Sequence, residues 1–142
     1  YSNVYGPRQI PHGEAGVVAI FIKLIMEGKA PTIFGGGKCV RDYVYAGDVA
    51  AANLLALNKG HNEAFNIGTG IRTNVNQLYR LIQKATGFTQ KAKPGPYRPG
   101  DLPANVLDAS KAGKILGWKP KVSLAEGIKM TYEYFVNLKL KT

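Results

Sequence analysis

The chain has 142 residues, of which 45% are hydrophobic and 20% charged, values typical of globular proteins, so we expect these residues to form one domain, too short for a large multidomain enzyme and not disordered. No apolar run approaches the roughly 20 residues that span a bilayer. Nineteen Lys and Arg against nine Asp and Glu give a formal net charge of +10. This charge favours anionic partners such as nucleic acid, a membrane surface or phosphorylated metabolites, without choosing among them.

Two features of the sequence bear on its origin. The single cysteine, Cys39, cannot form an internal disulfide, and the amino terminus lacks a secretory signal pattern, so we expect a reducing, cytoplasmic compartment. Residues 1–7 form a β-favouring run that stops at a Gly-Pro turn, as the tail of a strand does. Because this strand has no lead-in residues, we expect the physiological polypeptide to continue upstream.

Residues 17–60 predict two helices and two strands. Residues 17–27 are apolar nearly all round and are followed by a glycine, so we expect a buried helix there. Short β-favouring runs at residues 32–34 and 40–45 flank a loop of three glycines. Asp48 is placed to cap a second helix that ends at Gly60.

The middle of the chain predicts a third short strand at residues 64–67, followed by a Gly-Thr-Gly turn. Asn74 and Gln77 have the spacing of a capping box, which opens a helix that ends at Gly87. Four prolines and two glycines between residues 90 and 103 exclude a regular helix and predict an irregular arm.

The last third predicts two more helices. Residues 108–116 form a short one, and Ser123 with Glu126 forms a capping box that opens a terminal helix with Leu124 and Ile128 on its apolar face. Short strands that alternate with helices predict an α/β layer structure with too few strands for a complete doubly wound sheet.

Several motifs fail the tests for a cofactor or metal site. The Gly68-Thr69-Gly70 turn lacks the third glycine and the later acid of a dinucleotide fingerprint. The triple glycine before Lys38 is followed by Cys39, where a P-loop needs Ser or Thr. His12 and His61 lack metal-ligand spacing and are expected in solvated loops, and Cys39 is expected to be a packed side chain.

Two arginines and one carboxylate on loops are better candidates for a binding site. Arg41 follows a flexible glycine loop and is able to bind phosphate oxygens, although residue type alone favours a surface ion pair with Asp42, since such pairs are common. Arg98 and Asp101 place a cation and a carboxylate on the irregular arm. They suit a diphosphate and vicinal hydroxyls, and the alternative is a plain surface turn. Phe34, before the glycine loop, is able to cover a base or to pack in the core.

These segments resemble part of a known family. The resemblance is carried, in chain order, by residues 1–9 (YSNVYGPRQ), 13–21 (GEAGVVAIF), 33–35 (IFG), 41–45 (RDYVY), 48–49 (DV), 65–68 (FNIG), 98–103 (RPGDLP), 108–112 (DASKA) and 116–118 (LGW). Together they are similar to the carboxyl-terminal half of an extended short-chain dehydrogenase/reductase of the NAD-dependent epimerase/dehydratase family, most closely its UDP-glucose 4-epimerases.

The resemblance implies that residues 1–142 are the small substrate-binding lobe, an α/β unit with few short strands. Residues 1–9 are then the end of a strand of an NAD-binding Rossmann domain that lies upstream. It also implies that Tyr1 lies near the nicotinamide of NAD and that Asn3 contacts the substrate. Val17 and Val18 would cover the nucleotide, at positions where many relatives have Asn-Leu.

The same resemblance assigns the rest of a UDP-sugar site. Thr32 and Phe34 correspond to positions that line the uracil. Arg41 and Arg98 correspond to a diphosphate clamp, and Asp101 to a ribose contact. The resemblance therefore selects the two arginines and the carboxylate that residue chemistry selects.

The catalytic half of the family pattern is not found in these residues. The glycine-rich NAD loop and the Tyr-x-x-x-Lys pair are absent from the 142 residues, so we expect no catalytic residue here. In the family, the tyrosine takes the proton of the sugar 4-hydroxyl while a hydride passes to NAD, and the keto sugar turns before the hydride returns. We expect the UDP-sugar-binding half of a 4-epimerase that interconverts UDP-glucose and UDP-galactose, from a parent that dimerises through the other domain.

Two alternatives stay open. The parent enzyme could be a dehydratase, decarboxylase or reductase of the same family, because the residues near the sugar lie mostly upstream. A basic nucleic-acid-binding module is the other alternative. It is disfavoured because the lysines are scattered rather than clustered among stacking aromatics.

Overall fold

The computed structural model describes residues 1–11 and 16–140, in which five helices and seven short strands follow one another. The helices are α1 (Val17–Met26), α2 (Ala46–Ala56), α3 (Val75–Thr86), α4 (Ser110–Leu116) and α5 (Leu124–Lys139). The strands are β1 (Asn3–Tyr5), β2 (Thr32–Phe34), β3 (Val40–Arg41), β4 (Tyr43–Tyr45), β5 (Thr73–Asn74), β6 (Lys93–Gly95) and β7 (Ala104–Asn105). The predicted mixed α/β class with few short strands is confirmed.

The helix signals that were clearest in the sequence are confirmed. The Asn74 side chain accepts from the Gln77 amide and the Gln77 side chain accepts from the Asn74 amide, both at 2.8 Å, so a full capping box opens α3. Gly87 ends this helix in the left-handed region at φ 72°. The Ser123 hydroxyl caps α5 by accepting from the Glu126 amide at 3.2 Å.

The strands pair in three small sheets. β1 pairs in parallel with β4, and β2 pairs in parallel with β6. β3 lies between antiparallel β5 and parallel β7. The arm predicted to be irregular over residues 90–103 therefore contains a strand, β6, whose partner β2 lies about sixty residues earlier in the chain.

The β-favouring run 40–45 is two strands, because Asp42 interrupts it and turns the chain from one sheet into another. Asp42 is fully buried. Its carboxylate accepts from the Thr69 amide at 2.9 Å, the Thr69 hydroxyl at 2.6 Å, the Gly70 amide at 3.1 Å and the Leu107 amide at 3.4 Å. These four donors compensate for the burial of the charge and fasten two distant turns to the junction of β3 and β4.

Two local predictions are wrong. Residues 64–67 form no strand. The Ser2 amide, just before β1, donates a hydrogen bond to the Ile67 carbonyl at 2.9 Å. Asp48 does not cap α2, which begins at Ala46. Its carboxylate instead accepts from the Lys121 and Val122 amides at 3.1 and 3.0 Å, so it holds the segment that leads into α5.

The buried apolar side chains form two clusters on either side of the β1–β4 pair. The larger cluster joins α1, α3 and α5 and centres on residues such as Ile22, Leu78, Ile82 and Ile128. The smaller one joins α2 and α4 around Trp118, whose indole N–H donates to the Asp48 carbonyl at 2.8 Å. Within the described part of the chain, no helix combines the length and apolarity that a bilayer span requires.

The Asp42 cluster of hydrogen bonds predicts a large effect on stability. Replacing Asp42 with Ala leaves three amides and a hydroxyl, all in part-buried hydrogen bonds, without their acceptor, so we expect the free energy of unfolding to fall by about 3 kcal/mol. Urea denaturation followed by circular dichroism measures it. As a control, Glu133→Gln removes an exposed carboxylate and should change stability by less than about 0.5 kcal/mol. Equal small effects of both changes would contradict this role for Asp42.

Candidate functional site

An arm of eight residues, 96–103, crosses the ends of β2 and β3 and carries most of the predicted site. The Gly35 amide donates to the Pro96 carbonyl at 3.2 Å, and the Val40 amide donates to the Pro103 carbonyl at 2.9 Å. Both ends of the arm are thus held by backbone hydrogen bonds to neighbouring strands. The prolines of the arm do not weaken this attachment, because they act as acceptors.

Arg98 lies on this arm and stacks on Phe34. The guanidinium carbon is 3.7 Å from the centre of the half-buried Phe34 ring, which is close cation–π contact. Gly95 makes room for the ring, since a Cβ at that position would lie 2.7 Å from a Phe34 ring carbon and 2.8 Å from the Thr32 methyl group. Thr32 and Phe34 therefore lie together on one face of the β2–β6 pair.

Arg41 reaches the same arm from β3. Its Nη1 donates to the Leu102 carbonyl at 2.7 Å and to the Val40 carbonyl at 2.9 Å. Within the described residues these carbonyls are its hydrogen-bond partners, which leaves Nη2 and Nε as donors for a ligand. The alternative of an ion pair with Asp42 is wrong, because that carboxylate is buried on the Thr69, Gly70 and Leu107 donors.

Asp101 completes the group on the arm. Its amide donates to the Arg98 carbonyl at 3.2 Å, which closes a tight turn, and the Tyr97 hydroxyl donates to the Asp101 carbonyl at 3.3 Å. Gly100 takes φ 89° in this turn, a conformation that favours glycine. The predicted residues Thr32, Phe34, Arg41, Arg98 and Asp101 are thus gathered around one arm.

The other predicted residues lie on other elements. Asn3 is exposed on β1, and its amide donates to the Asp42 carbonyl at 2.9 Å, next to Arg41 along the chain. Val17 is half-buried at the start of α1, and Val18 is only 1% exposed. Tyr1 is exposed and donates its hydroxyl proton to the Asn53 side chain at 2.6 Å. The side chain of Val18 packs in the core, so it has almost no surface to offer a ligand.

The glycine-rich turn before α3 does not fit a dinucleotide. The amides of Thr69 and Gly70 donate to the Asp42 carboxylate, so they are not available to a pyrophosphate. This turn is structural, as the incomplete fingerprint predicts. Residues 68–70 were the candidate for binding the NAD pyrophosphate, and they offer it no free backbone amides at Thr69 and Gly70.

His12, His61 and Cys39 were considered above as metal ligands or reactive groups. His61 is exposed, as expected for a solvated loop, and Cys39 is half-buried. His12 lies outside the described residues. In the described ranges no three His, Cys, Asp or Glu side chains are grouped in a way that could hold a metal ion.

Tyr43 is the strongly perturbed titratable group near Arg41. Burial raises the pKa of Tyr43 to about 12, and the positive charge of Arg41 opposes part of this rise. Its hydroxyl is buried and has no hydrogen-bond partner among the described residues. The neutral phenol is therefore strongly preferred in the folded protein.

Sequence reasoning missed the Asp42 anchor and the Leu102 carbonyl that orients Arg41. A lone carboxylate inside a β-favouring run is a usable signal for the first, because an unpaired acid is rarely placed there without buried donors. The second has no sequence signal, because a backbone carbonyl is present at every residue and Leu102 is 61 positions from Arg41.

Comparison with known proteins gives consistent matches. Residues 1–131 match the family described as GDP-mannose 4,6 dehydratase. A putative UDP-glucose 4-epimerase of Methanocaldococcus jannaschii is 50% identical over 137 residues, which are 96% of this chain and 44% of that protein.

Two crystal structures of UDP-glucose 4-epimerases are also similar. The enzyme of Thermotoga maritima with UDP-glucose has a TM-score of 0.95 and 55% identity, over 98% of this chain and 45% of that one. The enzyme of Thermus thermophilus in complex with NAD has a TM-score of 0.88 and 45% identity, over 96% and 45% of the two chains. The chain therefore spans a little under half the length of the relatives that it matches.

Tyr43 predicts a loss of stability at alkaline pH. Because burial raises the pKa of Tyr43 from its ordinary value of 10.0 to about 12, the contribution of the neutral phenol to stability is complete below pH 10 and is lost as pH rises to 12. We expect a loss of about 3 kcal/mol over this interval. Tyr43→Phe should reduce that loss while leaving stability near pH 7 unchanged or higher, since it also removes an unpartnered hydroxyl. Urea denaturation at several pH values measures both, and an unchanged alkaline loss in the variant would contradict the assignment.

Proposed function

Because the chain belongs to the GDP-mannose 4,6 dehydratase family of NAD-dependent epimerases and dehydratases, we propose that it supplies the substrate-binding lobe of a nucleotide-sugar 4-epimerase. The family predicted from the sequence motifs is confirmed. The substrate pair that we propose is UDP-glucose and UDP-galactose, since the relatives described above are UDP-glucose 4-epimerases.

We place residues 1–142 in the substrate lobe, with residues 1–9 as the end of a strand that belongs to a Rossmann domain. The parallel pairing of β1 with β4 supports this, because parallel strands are typical of that domain. NAD is assigned mainly to the Rossmann domain, with Tyr1 near the nicotinamide. The glycine-rich turn at residues 68–70 supports this assignment, because its Thr69 and Gly70 amides donate to Asp42 and are not free for the cofactor.

The main support for the proposal is that Arg41 and Arg98 both lie at the arm of residues 96–103 and that neither is paired with a carboxylate among the described residues. Arg41 is fixed by two carbonyls and Arg98 by the Phe34 ring. Among the described residues neither guanidinium forms a salt bridge. Two oriented guanidinium groups with free donors suit the paired phosphates of a UDP-sugar.

The remaining contacts follow from the chemistry of the neighbours. We assign the uracil to the face of β2 that carries Thr32 and Phe34, and the ribose hydroxyls to the Asp101 carboxylate as acceptor. Val17 would cover the nucleotide from the start of α1, whereas Val18, which the resemblance also assigns to the nucleotide, is only 1% exposed and supports that helix end from the core. Asn3 would contact the sugar end, because its strand leads to the junction beside Arg41.

In this proposal the lobe acts by holding the part of the substrate that does not react. Binding energy from the nucleotide and the diphosphate fixes the ligand, while the sugar stays free to turn between two orientations. This lobe is assigned no proton transfer, and no catalytic residue is proposed in it.

The alternatives within the family are a dehydratase, a decarboxylase or a reductase that acts on a related nucleotide sugar. They share the nucleotide contacts proposed here and differ at the sugar. Product analysis after incubation of the full-length polypeptide with UDP-glucose separates them, since only an epimerase returns UDP-galactose with no net oxidation or loss of water.

The arginine clamp makes a direct prediction about affinity. Arg41→Ala and Arg98→Ala should each weaken UDP binding by about tenfold or more, because each removes a charge-assisted contact to phosphate. Lys84→Ala removes one positive charge from α3, away from the arm, and is the matched control, expected to change affinity by less than about twofold. Isothermal titration calorimetry with UDP measures all three. Unchanged affinity in both arginine variants would refute the clamp.

The stacking of Arg98 on Phe34 predicts a difference between two ligands. Phe34→Leu keeps an apolar side chain but removes the ring face that holds the guanidinium. We expect it to reduce affinity for UDP by more than it reduces affinity for uridine, which has no phosphate. Equal reductions for both ligands, measured by the same titration, would mean that the ring serves the base alone.

A further inference from the structure

A cavity of about 360 Å³ lies between α3 and the β2–β6 pair. Its lining contains none of the residues assigned above to the nucleotide sugar. The residues that line it are Ile33, Gly36, Asn76, Tyr79, Arg80, Gln83, Lys91, Ala92, Lys93 and Pro94. We call this cavity the α3 groove. Its volume is within the range of sites for small molecules.

The walls of the α3 groove are held together by side-chain hydrogen bonds to the backbone. Asn76 donates to the Gly36 carbonyl at 2.8 Å and ties α3 to the turn after β2. Tyr79 and Gln83 donate to the Gln90 carbonyl at 2.8 and 3.0 Å and tie α3 to the segment before β6. A site with walls fixed in this way needs little reorganisation to accept a ligand.

Three cations line the α3 groove from two elements. Arg80 is exposed on α3, and Lys91 and Lys93 are exposed on the segment that forms β6. Among the residues that the structure describes, no carboxylate lines the groove. Within residues 1–11 and 16–140 none of the three forms a salt bridge. Their mutual repulsion is therefore relieved by no acidic side chain of the described chain.

We infer that the α3 groove binds a small anion that carries two phosphate groups. Three cations match the charge of such a ligand, and the lining of Ile33, Ala92 and Pro94 gives its carbon skeleton an apolar surface. This inference does not rest on the proposed function, because it uses other residues on another face of β2.

The shape of the α3 groove favours a small molecule over nucleic acid. Tyr79 is the aromatic residue in the lining, and it is only 6% exposed with its hydroxyl engaged by Gln90. It therefore has no free face on which a base could stack.

The test is an NMR titration of the chain with sodium pyrophosphate at about 0.15 M salt, where distant charges are screened. We expect saturable shifts of the amides of residues 76–83 and 91–93. In the variant R80Q/K91Q the affinity read from these shifts should fall by about tenfold or more. The control K84Q/K114Q also removes two positive charges, from residues outside the lining of the groove. Its affinity for pyrophosphate should stay within about twofold of that of the unmodified chain.

The proposed nucleotide site is separated from this one by a third variant. R41A/R98A should keep the shifts at residues 76–83 while losing affinity for UDP, so failure of one proposal leaves the other intact. Shifts that do not saturate, or equal weakening in R80Q/K91Q and K84Q/K114Q, would overturn the inference. So would a short DNA duplex that shifts the same amides at lower concentration than pyrophosphate.

Discussion

The buried carboxylate of Asp42 is the contact on which the geometry of the site depends. A charge without solvent is costly unless donors surround it, and here two turns that are far apart in sequence supply them, residues 69–70 and residue 107. The same contact forces the chain to leave one sheet after Arg41 and to enter another at Tyr43. As a result Arg41 ends a strand beside the arm, while Tyr43 packs in the core. Even Gly68 is required by this arrangement, because a Cβ there would collide with the carboxylate.

The way in which the two arginines are held decides what they can do. A guanidinium paired with a carboxylate is neutralised, and an incoming diphosphate would have to displace that partner. Arg41 is instead oriented by two carbonyls and Arg98 by a ring face, contacts that fix direction and leave the positive charge in place. Because the Asp42 carboxylate already accepts hydrogen bonds from residues 69, 70 and 107, it does not form an ion pair with Arg41. The anchor thus positions one arginine and also keeps the nearest acid away from it.

The parts of this fold that sequence predicts are those whose signals are local. The Asn74–Gln77 capping box, the Ser123 cap and the Gly87 stop each act within one helical turn, so α3 and α5 are predicted well. β6 is missed because Lys93-Pro-Gly has no strand propensity and pairs only because β2 lies beside it. Asp48 has the right chemistry for a cap, but its donors come from residues 121 and 122. The candidate residues Arg41, Arg98 and Asp101 were selected by residue type and motif, whereas their meeting at one arm depends on contacts across 61 residues that no local pattern encodes.

The net charge of +10 is compatible with several kinds of anion. In the structure, some of the cationic side chains lie on two sides of one short strand, β2. Side chains along a strand alternate between its two faces. Thr32 and Phe34 therefore share the face over Gly95 where Arg98 stacks, while Ile33 between them contributes to the α3 groove with its own cations. A three-residue strand thus separates two basic surfaces that are each free of carboxylate partners in the described residues. In the two proposals the ligands at these surfaces would not collide, and the positive charge is divided between two separate places rather than spread in the continuous band that an extended polyanion would require.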